Sequence, residues 1–117
     1  MSEPGSLELN EFELALLNEV AKTEPDVAPL ISSLHVLSRE YTGVGSFTNF
    51  HCSTEEKVLG NKVLSPSNLL INIPTLENGL GVLVICKGGK LDCLETFTYG
   101  TEHWGGNYVG YSFTYGT

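Results

Sequence analysis

From residue 35 to residue 115 the chain reads as six apolar, β-branched or aromatic segments, at 35–41, 44–52, 69–73, 80–86, 91–99 and 108–115. Most of the links between them are turns too short for a parallel crossover, which needs a dozen residues or more. Thr42-Gly43, Asn78-Gly79 and Lys87-Gly88-Gly89-Lys90 all offer positive φ at low cost, and Asn-Gly is a strong hairpin signal. Pro74 places the end of its segment at an edge or a bulge. The polar stretch 53–68, with Gly60-Asn61 and Ser65-Pro66, reads as a long connection. Such a chain folds into a mainly antiparallel sheet.

The first third has a different period. Asn10 stands three residues before Glu13, the spacing of a capping box in which each side chain satisfies an orphan amide. Phe12, Leu16, Leu17 and Val20 then recur near one helical face, while Glu11, Asn18, Glu19 and Lys22 fall largely elsewhere. Thr23-Glu24-Pro25-Asp26 breaks this helix and starts a shorter one over 26–33. Helices first and strands afterwards predict the α+β class: two N-terminal helices packed on one face of a sheet of about five to six strands. A length of 117 residues predicts a single domain, 1–117, with 1–9 a disordered start, 10–33 helical and 35–117 sheet.

Charge narrows the function. The chain carries −8, and residues 1–26 hold seven of its 14 acids against Lys22 alone. A nucleic-acid binder needs a basic face to displace counterions from phosphate, and anionic lipid likewise attracts basic segments. Neither nucleic acid nor membrane is expected as a partner. The start lacks a basic stretch followed by an apolar one, and no apolar run approaches a membrane span, so the expected location is the cytoplasm. Three cysteines without a CxxC pair suit reduced thiols there. The acidic helix is either a solvated surface or a contact face for a basic protein, with Glu8, Glu11, Glu13 and Glu19 as the contacting side chains.

The pentapeptide FTYGT occurs at 97–101 and again at 113–117. Aromatic and β-branched residues suit a pleated surface, so each copy reads as a strand end. Alternation puts Phe97 and Tyr99 on one face with Leu91 and Cys93, and Thr96 and Thr98 on the other. If 91–99 and 108–115 form an antiparallel hairpin, the copies run in opposite directions and cannot be equivalent sites. The repeat reads as structural.

Two charges break the apolar alternation, Arg39 beside Tyr41 and Glu95 between Cys93 and Phe97. If both face the covered side of the sheet, each needs a partner, and pairing Arg39 with Glu95 is economical. If their strands bulge or lie at an edge, both stay in water. The loop 100–107 joins Glu102, His103 and the sole tryptophan, Trp104, to Gly105-Gly106. It suits either a ligand contact or a tryptophan folded back over the end of the sheet. Arg39, Tyr41, Glu95, Tyr99, His103 and Trp104 are therefore the candidate pocket. Cys86 and Cys93 lie on apolar strands and read as core residues, and His51-Cys52 point to opposite faces. No catalytic residue, metal-ligand spacing, cofactor or phosphate-binding glycine motif is assigned.

The run SREYTGVGSFTNF at 38–50, then LENGLG at 76–81, GKLD at 89–92, Leu94-Glu95 and Thr98-Tyr99-Gly100 ahead of Trp104, resembles a group of small uncharacterised bacterial proteins. These carry YTGVG with F-T-F, then L-NG-G, then LE with YTYG. The likeness spans about residues 37–104. Ser46 stands where those proteins tend to have an aromatic, and Phe97 where they have glycine or tyrosine. The resemblance implies a bacterial origin and one domain, and transfers no activity and no site residue. The expected function is that of a small acidic protein-binding domain without enzymatic activity, immunity- or inhibitor-like. The alternative is a small-molecule binder or cryptic enzyme using the candidate pocket, and a homodimer through the final edge strand is a third possibility.

Overall fold

A computed structural model describes residues 8–53, 59–66 and 68–116. The expected start, 1–9, and the connection 53–68 thus lie partly outside the described residues. Helix α1, Glu11–Thr23, begins with the capping box: the Glu13 amide donates to Asn10 Oδ1 and the Asn10 amide to Glu13 Oε1, at 2.8 and 2.9 Å. It buries Phe12, Leu16, Leu17 and Val20. Burial of each aliphatic side chain is worth about 1.5–3 kcal/mol. A 3-10 turn at Pro25–Val27 leads into a four-residue helix α2, Ala28–Ile31, so the second helix is shorter than 26–33 and opens with the proline turn.

The strands are β1 Leu34–Tyr41, β2 Gly45–Cys52, β3 Lys62–Leu64, β4 Leu69–Asn72, β5 Leu80–Lys87, β6 Lys90–Thr98 and β7 Ser112–Tyr115. They form one sheet in the order β1-β2-β6-β5-β4-β7, and every paired strand is antiparallel to its partner. The class is α+β, with seven strands among the described residues rather than five to six. The extra one, β3, is cut from the polar connection and lies on β5 beside β4. Gly88 and Gly89, both at positive φ (61° and 82°), make the two-residue turn between β5 and β6.

The expected hairpin between 91–99 and 108–115 does not form. Strand β7 pairs with β4, placing β5 and β4 between it and β6. The chain after β6 instead folds back over the helix side. Trp104 bridges Gly43, and Phe12 of α1 packs on Trp104, Tyr108 and Tyr111. Only residues 112–115 of the expected last strand remain in the sheet.

Two register slips decide which side chains face the helices. Leu37 is an extra residue between the Val36–Phe50 and Ser38–Asn49 pairs, and Asp92 between the Ile85–Cys93 and Cys86–Leu91 pairs. Each bulge reverses the inward and outward phase of its strand. In β6 this puts Leu91, Leu94 and Thr96 on the helix side, and Cys93, Glu95 and Phe97 on the other. The expected grouping of Leu91 with Phe97 is thus corrected. The two FTYGT copies point to opposite faces: Phe97 and Tyr99 lie away from the helices, whereas Phe113 packs against the core and Tyr115 shares its face.

Candidate functional site

The six candidate pocket residues do not converge. Arg39 and Tyr41 follow the Leu37 bulge and turn to the helix side, where Tyr41 meets the edge of Trp104 at a centroid distance of 6.4 Å. Trp104 is 4% exposed, and its indole N–H donates to the Asn107 carbonyl at 2.9 Å, so it caps the end of the sheet. Glu95 and Tyr99 lie on the opposite face, and His103 is exposed on its loop.

Arg39 pairs with Glu13, not with Glu95. Its Nε and Nη2 donate to Glu13 Oε2 and Oε1, both at 2.7 Å, and Nη2 also donates to the Glu8 carbonyl at 2.9 Å. Thr48 Oγ1 adds a donor to Glu13 Oε2 at 3.3 Å, and the capping amide of Asn10 one to Oε1. Both carboxylate oxygens are therefore occupied, which is how a charged pair at a buried site is tolerated. Hydrogen bonding to Glu13 holds the Arg39 guanidinium above its ordinary value, firmly charged. Beside the pair, Ser46 and Thr96 share a buried hydroxyl–hydroxyl bond of 2.6 Å. The cavity left among these groups is about 10 Å³, at the lower limit for one water molecule. The cluster is a clamp between α1 and β1.

The acidic face is also smaller than the sequence suggests. Glu13 is consumed by the clamp. Glu19 accepts from Lys22 at 2.8 Å and from the Tyr115 hydroxyl, and these bonds, Lys22 first, hold its carboxyl below the ordinary value. Glu8 and Glu11 stay exposed.

The three cysteines are buried free thiols, and burial pushes Cys93 up to about 11. Among the described residues no group of three or more histidine, cysteine or acidic side chains is placed to hold a metal ion. No described helix is long and apolar enough to cross a membrane.

The surface that sequence reasoning missed is the outer face of the sheet. The core takes one phase of every strand together with both helices. The other phase carries Phe47, Leu70, Leu83, Ile85 and Phe97, half-buried, with Val63 56% exposed, and none of these packs against the core. The register makes them neighbours: Val63 stands opposite Ile85, and Phe47 and Leu83 flank Glu95 from either side. Phe97 and Tyr99 lie over Gly81, whose missing side chain leaves room for both rings. Glu40, opposite Phe47, and Glu95 set two carboxylates into this face, while Lys87 and Lys90 face each other at its far end. An antiparallel sheet with one solvated face ordinarily alternates apolar inward with polar outward, and this one does not. The signal was present in strands such as LGVLVICK at 80–87, apolar in both phases.

No family model matches the chain, and neither a curated protein nor a solved structure matches it.

Proposed function

We propose that the protein is a non-enzymatic binding domain of the bacterial cytoplasm, immunity- or inhibitor-like, that engages a basic protein partner through the outer face of its sheet. The observation that carries this reading is the apolar outer face of Phe47, Leu70, Leu83, Ile85 and Phe97, half-buried and outside the core cluster, with Val63 and Tyr99 exposed on the same face. A monomeric surface rarely leaves such a strip open without a use. The partner's charge follows from complementarity. Glu40 and Glu95 flank Phe47 at one end of the face, Lys87 and Lys90 lie at the other, and the whole chain carries −8. A surface that sets lysine or arginine and apolar side chains against the Glu40–Glu95 end therefore fits it best. Arg39 and Trp104 are spent on the clamp and the cap, which leaves the expected pocket without a ligand-sized space.

The test is capture of partners from host lysate at low and high salt with three tagged forms. These are the natural chain, a Phe47→Ser/Leu83→Ser variant, and a Glu8→Lys/Glu11→Lys variant. The reading expects a stoichiometric basic partner, released by salt, lost with the sheet-face variant and retained by the helix variant. Loss with the helix variant alone would move the contact to the acidic helix. Equal recovery by all three would refute the sheet face.

A further inference from the structure

A second cavity, of about 290 Å³, opens on the helix side at the end of α1. Its walls are Thr23 and Glu24 from the helix end, Ser65, Pro66, Asn68 and Leu69 from the approach to β4, and Tyr115 from β7. Among the described wall residues Glu24 is the one that carries a charge, and no hydrogen bond or ion pair among the described residues engages its carboxylate. The negative end of the α1 dipole lies at the same wall. Tyr115 is held there by its hydroxyl bond to Glu19, whose carboxylate also pairs with Lys22. That bond also raises the phenol above its ordinary value, so the ring stays neutral with an electron-rich face. Pro66 and Leu69 supply apolar wall, and Asn68 and Ser65 supply polar groups.

These features select a ligand class. An anion would meet Glu24 and the helix terminus with like charge. A neutral apolar ligand would strip water from Glu24 without replacing it. We infer that this cleft binds an organic cation, a guanidinium or ammonium on a short aliphatic stem, with Glu24 as counter-ion and the Tyr115 ring as a cation–π wall. The cation has two sources, a small amine or guanidine in solution, or an arginine or lysine side chain of a bound protein. The site lies apart from the outer sheet face and stands or falls independently of it.

The experiment is a chemical-shift titration of the ¹⁵N-labelled full chain with n-butylguanidine, using n-butylurea as its neutral isostere. Saturable shifts at Thr23, Asn68, Leu69 and Gly116 are expected with the guanidine and absent with the urea. Glu24→Gln should weaken the binding about tenfold, while Tyr115→Phe, which keeps the ring, should weaken it less than Tyr115→Leu. Equal shifts with butylurea, or unchanged affinity in Glu24→Gln, would overturn the inference. The butylurea comparison uses the natural chain, so it decides even if a variant folds poorly. A capped Gly-Arg-Gly peptide then separates the sources. Binding as tight as butylguanidine assigns the site to a protein side chain, and failure to bind while butylguanidine saturates assigns it to a free cation.

Discussion

Glu13 serves as the third residue of a capping box and as the counter-ion of Arg39, and the two roles depend on each other. The box fixes the first turn of α1, which aims the carboxylate at β1, and the guanidinium then satisfies the oxygens that the amide and Thr48 leave. Breaking a buried pair by removing one partner leaves a charge without compensation. Glu13→Gln, which keeps the shape and the box, is expected to lower stability by about 3 kcal/mol in urea unfolding. Glu13→Gln with Arg39→Met, which keeps the box, should recover much of that loss, because no unpaired charge is left to desolvate. A double variant no more stable than the single one would show that the pair contributes net stability. The cue for Glu13 lay in the sequence: it stands three and four residues before Leu16 and Leu17, inside the apolar stripe. The partner was not legible, because the Leu37 bulge that turns Arg39 toward the helix leaves no mark in an alternating strand. The cysteines give a second residue-scale prediction. With all three buried and Cys93 pushed up by burial, aided by Asp92 and Glu95, iodoacetamide at pH 8 should leave the native thiols intact. In guanidinium chloride all three should react. Rapid labelling of native Cys93 would overturn the burial argument.

Among the elements, the turns were the most readable parts and the bulges the least. Gly88-Gly89 announces its turn because positive φ is chemically marked, whereas the β4–β5 connection closes its turn at Pro74-Thr75 and reaches positive φ only at Gly79. A bulge at Asp92 needs only one extra residue of any kind, and it exchanges the faces of a whole strand. The long excursion between β6 and β7 was also hidden, since what directs it is tertiary. Glu102 accepts the amides of Glu77 and Asn78 at 2.7 and 2.8 Å, tying this loop to the β4–β5 turn. Those bonds hold its carboxyl below the ordinary glutamate value. A depressed carboxylate stabilises the fold above its unfolded pKa, and that contribution fades as pH falls through the folded one. The amide shifts of Glu77 and Asn78 should therefore titrate together, with a midpoint below the ordinary glutamate value, and should stop titrating in Glu102→Gln. A midpoint at or above the ordinary value would mean that the tie does not persist in solution.

At the scale of the whole molecule, net charge and the bare sheet face make opposing claims, and salt separates them. Two copies pressed face to face would bury the strip of Phe47, Leu83, Ile85 and Phe97, but each copy brings −8. Raising salt from 0.1 M to 1 M shortens the Debye length from about 10 Å to about 3 Å and leaves apolar burial in place. Self-association through this face must therefore strengthen with salt, whereas binding to a basic partner must weaken. The proposed function expects a monomer by sedimentation equilibrium at 0.1 M salt. At 1 M the weight-average mass should rise, and Phe47→Ser/Leu83→Ser should abolish that rise while leaving the melting temperature within a few degrees, since these side chains lie outside the core. A dimer already formed at low salt would place the second copy, not a basic protein, on the face. A mass that ignores both salt and the substitutions would mean that water alone suits this surface, and the strip would lose its claim to a partner.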